Sequence, residues 1–177
     1  DELLQKQIYR LAFWRVAADQ INYRRFFDIN ELAAIRVEVP EVFQATHQLV
    51  LRLLMEKKVT GVRIDHADGL WNPLLYLREL QSSYFAAQVQ ARLASDRSHM
   101  TAEARAEFDQ EVASGFTSYL AQQGVPWPLY VVVEKILAQG ETLAADWPVS
   151  GTTGYDFLNE VGGIFVDGRS REAFDEI

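Results

Sequence analysis

Apolar and polar positions follow two rhythms along this chain. Between Leu3 and Asp19, the residues Leu3, Leu4, Ile8, Leu11, Ala12 and Trp14 recur at near-helical spacing, which predicts a helix. INYRRFFDI, Ile21 to Ile29, is rich in aromatics and predicts a strand. Alternation there puts Tyr23, Arg25 and Phe27 on one face and Arg24, Phe26 and Asp28 on the other. Asn30 to Arg36 then suits a short helical turn. Pro40 opens EVFQATHQLVLRLLMEKK, whose Val42, Phe43, Leu49, Val50, Leu53 and Leu54 predict an amphipathic helix. Lys57 and Lys58 fit the negative end of its dipole.

The rhythm then shortens. Val59 to Ile64 predicts a strand that runs into GVRIDHADGL. After Asn72-Pro73 the pattern turns helical through LLYLRELQSSYFAAQVQARL, bends at the polar Ser95 to Thr101, and is helical again through AEARAEFDQEVASGFTSYLAQQ. Gly124, Pro126 and Pro128 break that run. Leu129 to Val133 is continuously apolar, as in parallel strands covered on both faces, and stops abruptly at Glu134-Lys135. A turn-rich GTTGYDF and a helix from Asp156 close the series. Strands alternating with helices predict an α/β chain with a parallel sheet. Ligands bind such sheets at the carboxyl ends of the strands, where Asp28, Asp65 and Glu134 all fall.

Composition narrows the classes. The 177 residues are 49% hydrophobic and 12% aromatic, enough for a packed core and too many for a disordered chain. Seventeen Lys and Arg against 25 Asp and Glu give a net charge of −8, which disfavours a nucleic-acid partner. The absence of cysteine removes disulfides, thiolate metal sites and a cysteine nucleophile. No apolar run approaches the ~20 residues of a membrane span, and DELLQKQIYR lacks the regions of a signal peptide. The expectation is a cytoplasmic protein with no membrane partner.

Arg63 and Asp65 stand two apart on a strand, so they share a face. The guanidinium would keep Asp65 ionised, as a carboxylate nucleophile requires. Glu134 follows four apolar residues, and partial burial would hold it protonated, as a general acid requires. Such a pair, with carboxyls about 5–5.5 Å apart, performs retaining glycoside cleavage. A structural ion pair plus a helix-capping Glu134 would explain the same residues equally well.

GVRID resembles the Gly-x-Arg-x-Asp strand of the alpha-amylase superfamily of glycoside hydrolases, and VVVEK resembles its strand ending in the acid glutamate. A fuller resemblance, through QIYRLAFWR, NYRRFFDINELAAIRVE, GVRIDHADGLWNP and VVVEKILAQGETLAADWPVSGTTGYDF, is to the maltooligosyl trehalose synthase family within that superfamily. It is weakest from Gln81 to Gln123. The resemblance implies Asp65 as nucleophile, Glu134 as acid/base and Arg63 as the residue orienting Asp65. It implies a partial (β/α) TIM-type barrel over 1–177, about strands three to six, with 72–125 as a mostly helical insertion. The superfamily's earlier Asp and Asn-His strand and its later His-Asp carboxylate have no counterpart here, which implies that they lie before Asp1 and after Ile177. The implied reaction is intramolecular transglucosylation of maltooligosaccharides to a trehalose end, with no cofactor. Independent activity and a monomeric state are not expected of this segment. Amylase-like hydrolysis, or a carbohydrate-binding or assembly fragment without chemistry, are the alternatives.

Around these lie further residues. His66 and Asp68 sit just past the strand of Asp65, where the resemblance implies groups that hold sugar hydroxyls, although Asp68-Gly69 also suits a plain turn. Asp28, Asn30 and Glu31 follow the Tyr23–Ile29 strand, where Asn30 could equally cap a helix. Tyr155 and Asp156 could line the sugar site, and Thr153 with Asp156 fits a variant capping box. Trp71 suits either a sugar-stacking platform or the core. His47 and His99 lack ligand spacing, so no metal is expected. Arg24 and Arg25 point to opposite faces, which argues against a phosphate clamp.

Overall fold

The computed structural model describes residues 1–93, 100–120, 122 and 126–176. They form two compact units, Asp1–Arg36 and Val37–Ile177.

The first unit departs from all three sequence expectations. In place of a helix over 3–19 there are two single turns of helix, α1 (Glu2–Gln5) and α2 (Ala17–Gln20), the second preceded by a 3-10 turn at Trp14–Val16. The apolar positions that suggested a long helix are outside: Leu3, Ile8, Leu11 and Trp14 are 70% exposed or more. A helix of that length is marginal in water without an apolar surface to pack on. Ile21–Ile29 is likewise not a strand of a sheet. The chain reverses, with Arg25 and Ala33 in an isolated antiparallel bridge, Phe26 N–H donating to Leu32 O (3.0 Å) and Ala34 N–H to Arg24 O (2.8 Å). Phe27 takes φ +51° inside the reversal. Residues 30–36 are therefore a loop and return arm, not a helical turn. The Arg25 guanidinium closes the loop, donating to Asn30 Oδ1 and to Asp28 Oδ1 (3.2 Å).

The second unit follows the pattern more closely. Helix α3 spans Pro40–Met55, with proline in its first turn. Phe43, His47 and Leu54 are its buried residues. Lys57 at φ +56° ends it, and Lys58 N–H returns to Leu53 O (2.9 Å), so strand β1 begins only at Gly61 and runs to Ile64. Helix α4 (Pro73–Arg92) is capped by Asn72, whose Oδ1 accepts from Leu75 N–H at 2.9 Å. Helix α5 (Ala102–Leu120) packs on α4 through Phe85 against Phe116 and Tyr119, with ring centroids 5.5 and 5.6 Å apart. The polar bend expected at Ser95–Thr101, with His99, lies almost wholly outside the described residues, as does the break at Gly124. Strand β2 is Tyr130–Val133, strand β3 is Gly151–Thr152, and helix α6 (Tyr155–Gly163) and helix α7 (Arg171–Asp175) complete the unit.

The three strands form an open parallel sheet in the order β1-β2-β3, with Ile64 opposite Val133 and Val133 opposite Thr152. The core lies on one face. Val131 and Val133 are fully buried there with Leu77, Leu80, Leu129, Phe43 and Leu54, and Val62 and Ile64 pack against them. Full burial of each such side chain contributes about 1.5–3 kcal/mol. The continuous valines led to the expectation of cover on both faces, yet Tyr130 is 60% exposed. Among the described residues, α3 and α4 supply that buried face, and the alternate residues of β2 face outward. Gln81 locks α4 to this layer. Its Nε2 donates to Leu129 O and Pro148 O and its Oε1 accepts from Leu129 N–H, each at 2.9 Å. No helix among the described residues is long and apolar enough to cross a membrane.

Candidate functional site

β1 and β2 end together. The last registered pair is Ile64 and Val133, and Glu134 N–H donates to Ile64 O at 2.7 Å, so Asp65 and Glu134 leave the sheet side by side at its carboxyl edge. Alternation on β1 puts Arg63 on the face of Asp65, and Arg63 Nη1 donates to Asp65 Oδ1 at 2.7 Å. Their side chains are 48% and 56% exposed. An ion pair so exposed contributes about 0–1 kcal/mol, so stability gives little reason for this arginine.

The Glu134 carboxylate turns toward β1, where its Oε2 accepts from the backbone N–H of His66 at 3.1 Å. His66 takes the left-handed conformation, φ 51° and ψ 44°. A non-glycine residue in that region is strained, a cost that clusters at functional sites. His66 then starts a 3-10 turn over Ala67–Gly69, closed by Gly69 N–H to His66 O (3.0 Å). A Cβ on Gly69 would lie 2.2 Å from the His66 ring, so only glycine leaves the imidazole its place. The expected Asp68-Gly69 turn is thus present, and its glycine leaves room for the His66 ring.

Lys135, which sequence reasoning passed over, ties this loop to the next. Its Nζ lies 2.9 Å from Glu141 Oε1 and 3.6 Å from Asp68 Oδ2, while Asp68 Oδ1 is 3.7 Å from His66 Nδ1. The hydrogen bond to Glu141 pushes the Lys135 ammonium above its ordinary range. Glu141 is held low first by the N–H of Ala138 and then by Lys135. The sequence signal was a lysine directly after Glu134, at the end of an apolar strand.

β3 delivers further residues to the same edge. Thr153 N–H donates to Val133 O at 3.1 Å, and Tyr155 and Asp156 follow at the start of α6. The capping box expected between Thr153 and Asp156 is not formed. Gly154 is the N-cap residue, and Thr152 Oγ1 donates to Asp156 Oδ2 (3.0 Å), because the register turns Thr152 toward the helix. Arg63, Asp65, His66, Asp68, Glu134, Tyr155 and Asp156 are therefore gathered at the end of one sheet. Asp28 and Asn30 are not at a strand end. They belong to the first unit, where both accept from Arg25.

Trp71 is 71% exposed and is no core residue. It lies on the rim of a cleft of about 180 Å³ with Glu38, Phe43, Tyr76 and Glu79. His47 is buried, stacked on Phe43 at 3.9 Å, with Nδ1 on Phe43 O and Nε2 on Tyr76 Oη, each at 2.9 Å. Burial pushes His47 below its ordinary value and Tyr76 up to about 12. Among the described residues no three His, Asp or Glu cluster as a metal site would.

No family model matches the chain. Over 162 residues it is 37% identical to a Mycobacterium tuberculosis (strain CDC 1551 / Oshkosh) protein assigned provisionally as a maltooligosyl trehalose synthase, a match covering 92% of this chain and 16% of that protein. Its fold is similar to the structure of maltooligosyltrehalose synthase from Arthrobacter ramosus, with 35% identity, a TM-score of 0.63, and coverage of 94% of this chain and 16% of that one. A structure of a glycosyltrehalose synthase gives 35% identity and a TM-score of 0.61 over 97% of this chain and 17% of that one. The chain is thus similar to a segment of maltooligosyl trehalose synthases, as its motifs indicate, and spans about a sixth of their length.

Proposed function

We propose that this chain is a segment of the catalytic (β/α) barrel of a maltooligosyl trehalose synthase acting in the cytoplasm, with 72–125 as a helical insertion between two barrel strands. The substrate is a maltooligosaccharide whose reducing-end alpha-1,4 bond becomes an alpha,alpha-1,1 bond. One observation carries this reading: Asp65 and Glu134 follow the last registered pair of adjacent parallel strands, with Arg63 on Asp65.

Asp65 attacks the anomeric carbon while Glu134 gives its proton to the departing O4, so the glycosidic bond breaks as an ester to Asp65 forms. The released glucose turns within the site. Its anomeric hydroxyl attacks the same carbon, Glu134 takes the proton, and the ester breaks to return Asp65 as a carboxylate. Two inversions give net retention. Arg63 orients Asp65, His66 and Asp68 hold sugar hydroxyls, and Tyr155 and Asp156 line the site.

In the intact enzyme, Asp65→Asn abolishes turnover and spares the fold, since the amide has the carboxylate's shape without its nucleophilicity. Glu134→Gln is nearly as severe with natural sugars and is partly recovered by a substrate with a good leaving group. Product analysis with maltopentaose reads both: a non-reducing trehalose end supports the proposal, free glucose as sole product supports amylase-like hydrolysis, and an active Asp65→Asn places the nucleophile elsewhere. The exposure of Asp65 favours a second reading for the chain by itself, in which it binds glucan without rearranging it.

A further inference from the structure

Thr153 Oγ1 is buried and has no hydrogen-bond partner among the described residues. Leaving a hydroxyl so costs about 1–3 kcal/mol, and valine would fill the same space without that penalty. The position is nevertheless built. The neighbouring Thr152 hydroxyl is committed to Asp156. Gly151 at φ +146° and Gly154 at φ +91° bracket the two threonines, and a Cβ on either would meet nothing within 4 Å. These glycines therefore serve the backbone path that aims the threonines and not the packing. Register decides what Thr153 is aimed at. Val133 pairs with Thr152, so one step further Thr153 stands beside Glu134, on the side away from β1. Glu134 is thus the ionisable side chain that the register sets beside this buried hydroxyl.

We infer that Thr153 is a positioning residue for Glu134, and that its hydroxyl is a second resting place for the carboxylate, which in this structure leans the other way onto His66 N–H. The inference rests on the acid/base role proposed for Glu134. A group that gives a proton in one step and takes it back in the next serves two oxygens in two places, the departing O4 and the returning anomeric hydroxyl. Donors on either side, His66 N–H toward β1 and Thr153 Oγ1 toward β3, give its carboxylate a bonded position for each.

Thr153→Val and Thr153→Ser test this by two readouts. In the 177-residue chain, Thr153→Val raises the urea midpoint, because a buried unpartnered hydroxyl is removed. In the intact enzyme the same change lowers kcat about tenfold with KM unchanged, the loss expected for one hydrogen bond to a charged group, and Thr153→Ser restores it. A destabilised Thr153→Val chain shows the hydroxyl already bonded and overturns the inference, as does a Thr153→Val enzyme with unchanged kcat beside an active wild type. A wild-type enzyme that forms no trehalose end overturns the functional reading and takes this inference with it.

Discussion

Gln81 is a buried polar side chain that ties one helix to two strands. It is fully buried, and its amide satisfies three backbone groups: the N–H and C=O of Leu129 and the C=O of Pro148. These groups stand at the entry to β2 and just before β3, so one side chain fixes α4 to two strands. Gln81→Leu keeps the volume and removes all three bonds. Each stranded buried group costs about 1–3 kcal/mol. Allowing for non-additivity and for the apolar gain of leucine, the loss is about 3–6 kcal/mol, against a total stability of about 5–15 kcal/mol for a domain. Urea unfolding followed by far-UV circular dichroism measures it. Gln81→Glu gives a sharper test through pH. A protonated carboxyl can donate to one carbonyl and accept from Leu129 N–H, whereas a carboxylate would face two carbonyl oxygens. The fold therefore favours the protonated form, and the stability of Gln81→Glu is highest in acid and lost as pH rises past about 4.3. A loss below about 1 kcal/mol for Gln81→Leu, or a Gln81→Glu deficit that ignores pH, would refute the reasoning.

Two other outcomes follow from the same unit. Burial lowers His47, whose neutral ring accepts from Tyr76 Oη, so stability is full above about pH 6.5 and falls as pH drops below it. Tyr76 is raised to about 12, so its contribution is lost as pH climbs from about 10 to about 12. Urea midpoints across pH check both limbs, and the acid limb should flatten in His47→Gln. The chain alone is also expected to self-associate: among the described residues the outer edges of β1 and β3 are unpaired, and Tyr130, Ile136, Phe157 and Phe165 are each at least 60% exposed. A clean monomer by light scattering at high concentration would contradict that.

The second unit was legible because its signals are local and mutually consistent. Pro40 and Asn72-Pro73 mark helix starts, and short valine-rich runs that stop in charge mark β1 and β2. Gln81 had a signal too, since it continues the Leu77, Leu80, Tyr84 stripe of α4, but no spacing rule says which carbonyls a buried amide will meet. β3 is only two residues long, too short for any periodicity to register. The first unit misled because alternating aromatics suit the arm of a reversed loop as well as a strand of a sheet. There Arg25 binds Asp28 and Asn30 across the reversal, and no pattern of apolar positions reports such a bond. Among the site residues, Arg63, Asp65 and Glu134 were readable as charges at strand ends. Lys135 and Thr153 were not, since their significance appears only when three strands are laid in register.

That register separates what this segment can specify from what it cannot. Hydrogen bonds of the parallel ladder place Asp65 beside Glu134 without help from side-chain burial, and a bond from His66 N–H aims one carboxylate while Arg63 holds the other. Position is therefore encoded locally, in about ten residues of two strands and the turn after the first. Exclusion of water is not. With Asp65 56% and Arg63 48% exposed, a glycosyl ester formed on this chain by itself would meet solvent before a released glucose could turn and attack. Transfer outruns hydrolysis only where the site is closed. On the proposed mechanism the carboxylate pair is common ground for cleavage and rearrangement, and the choice between them belongs to whatever covers the carboxyl edge of the sheet.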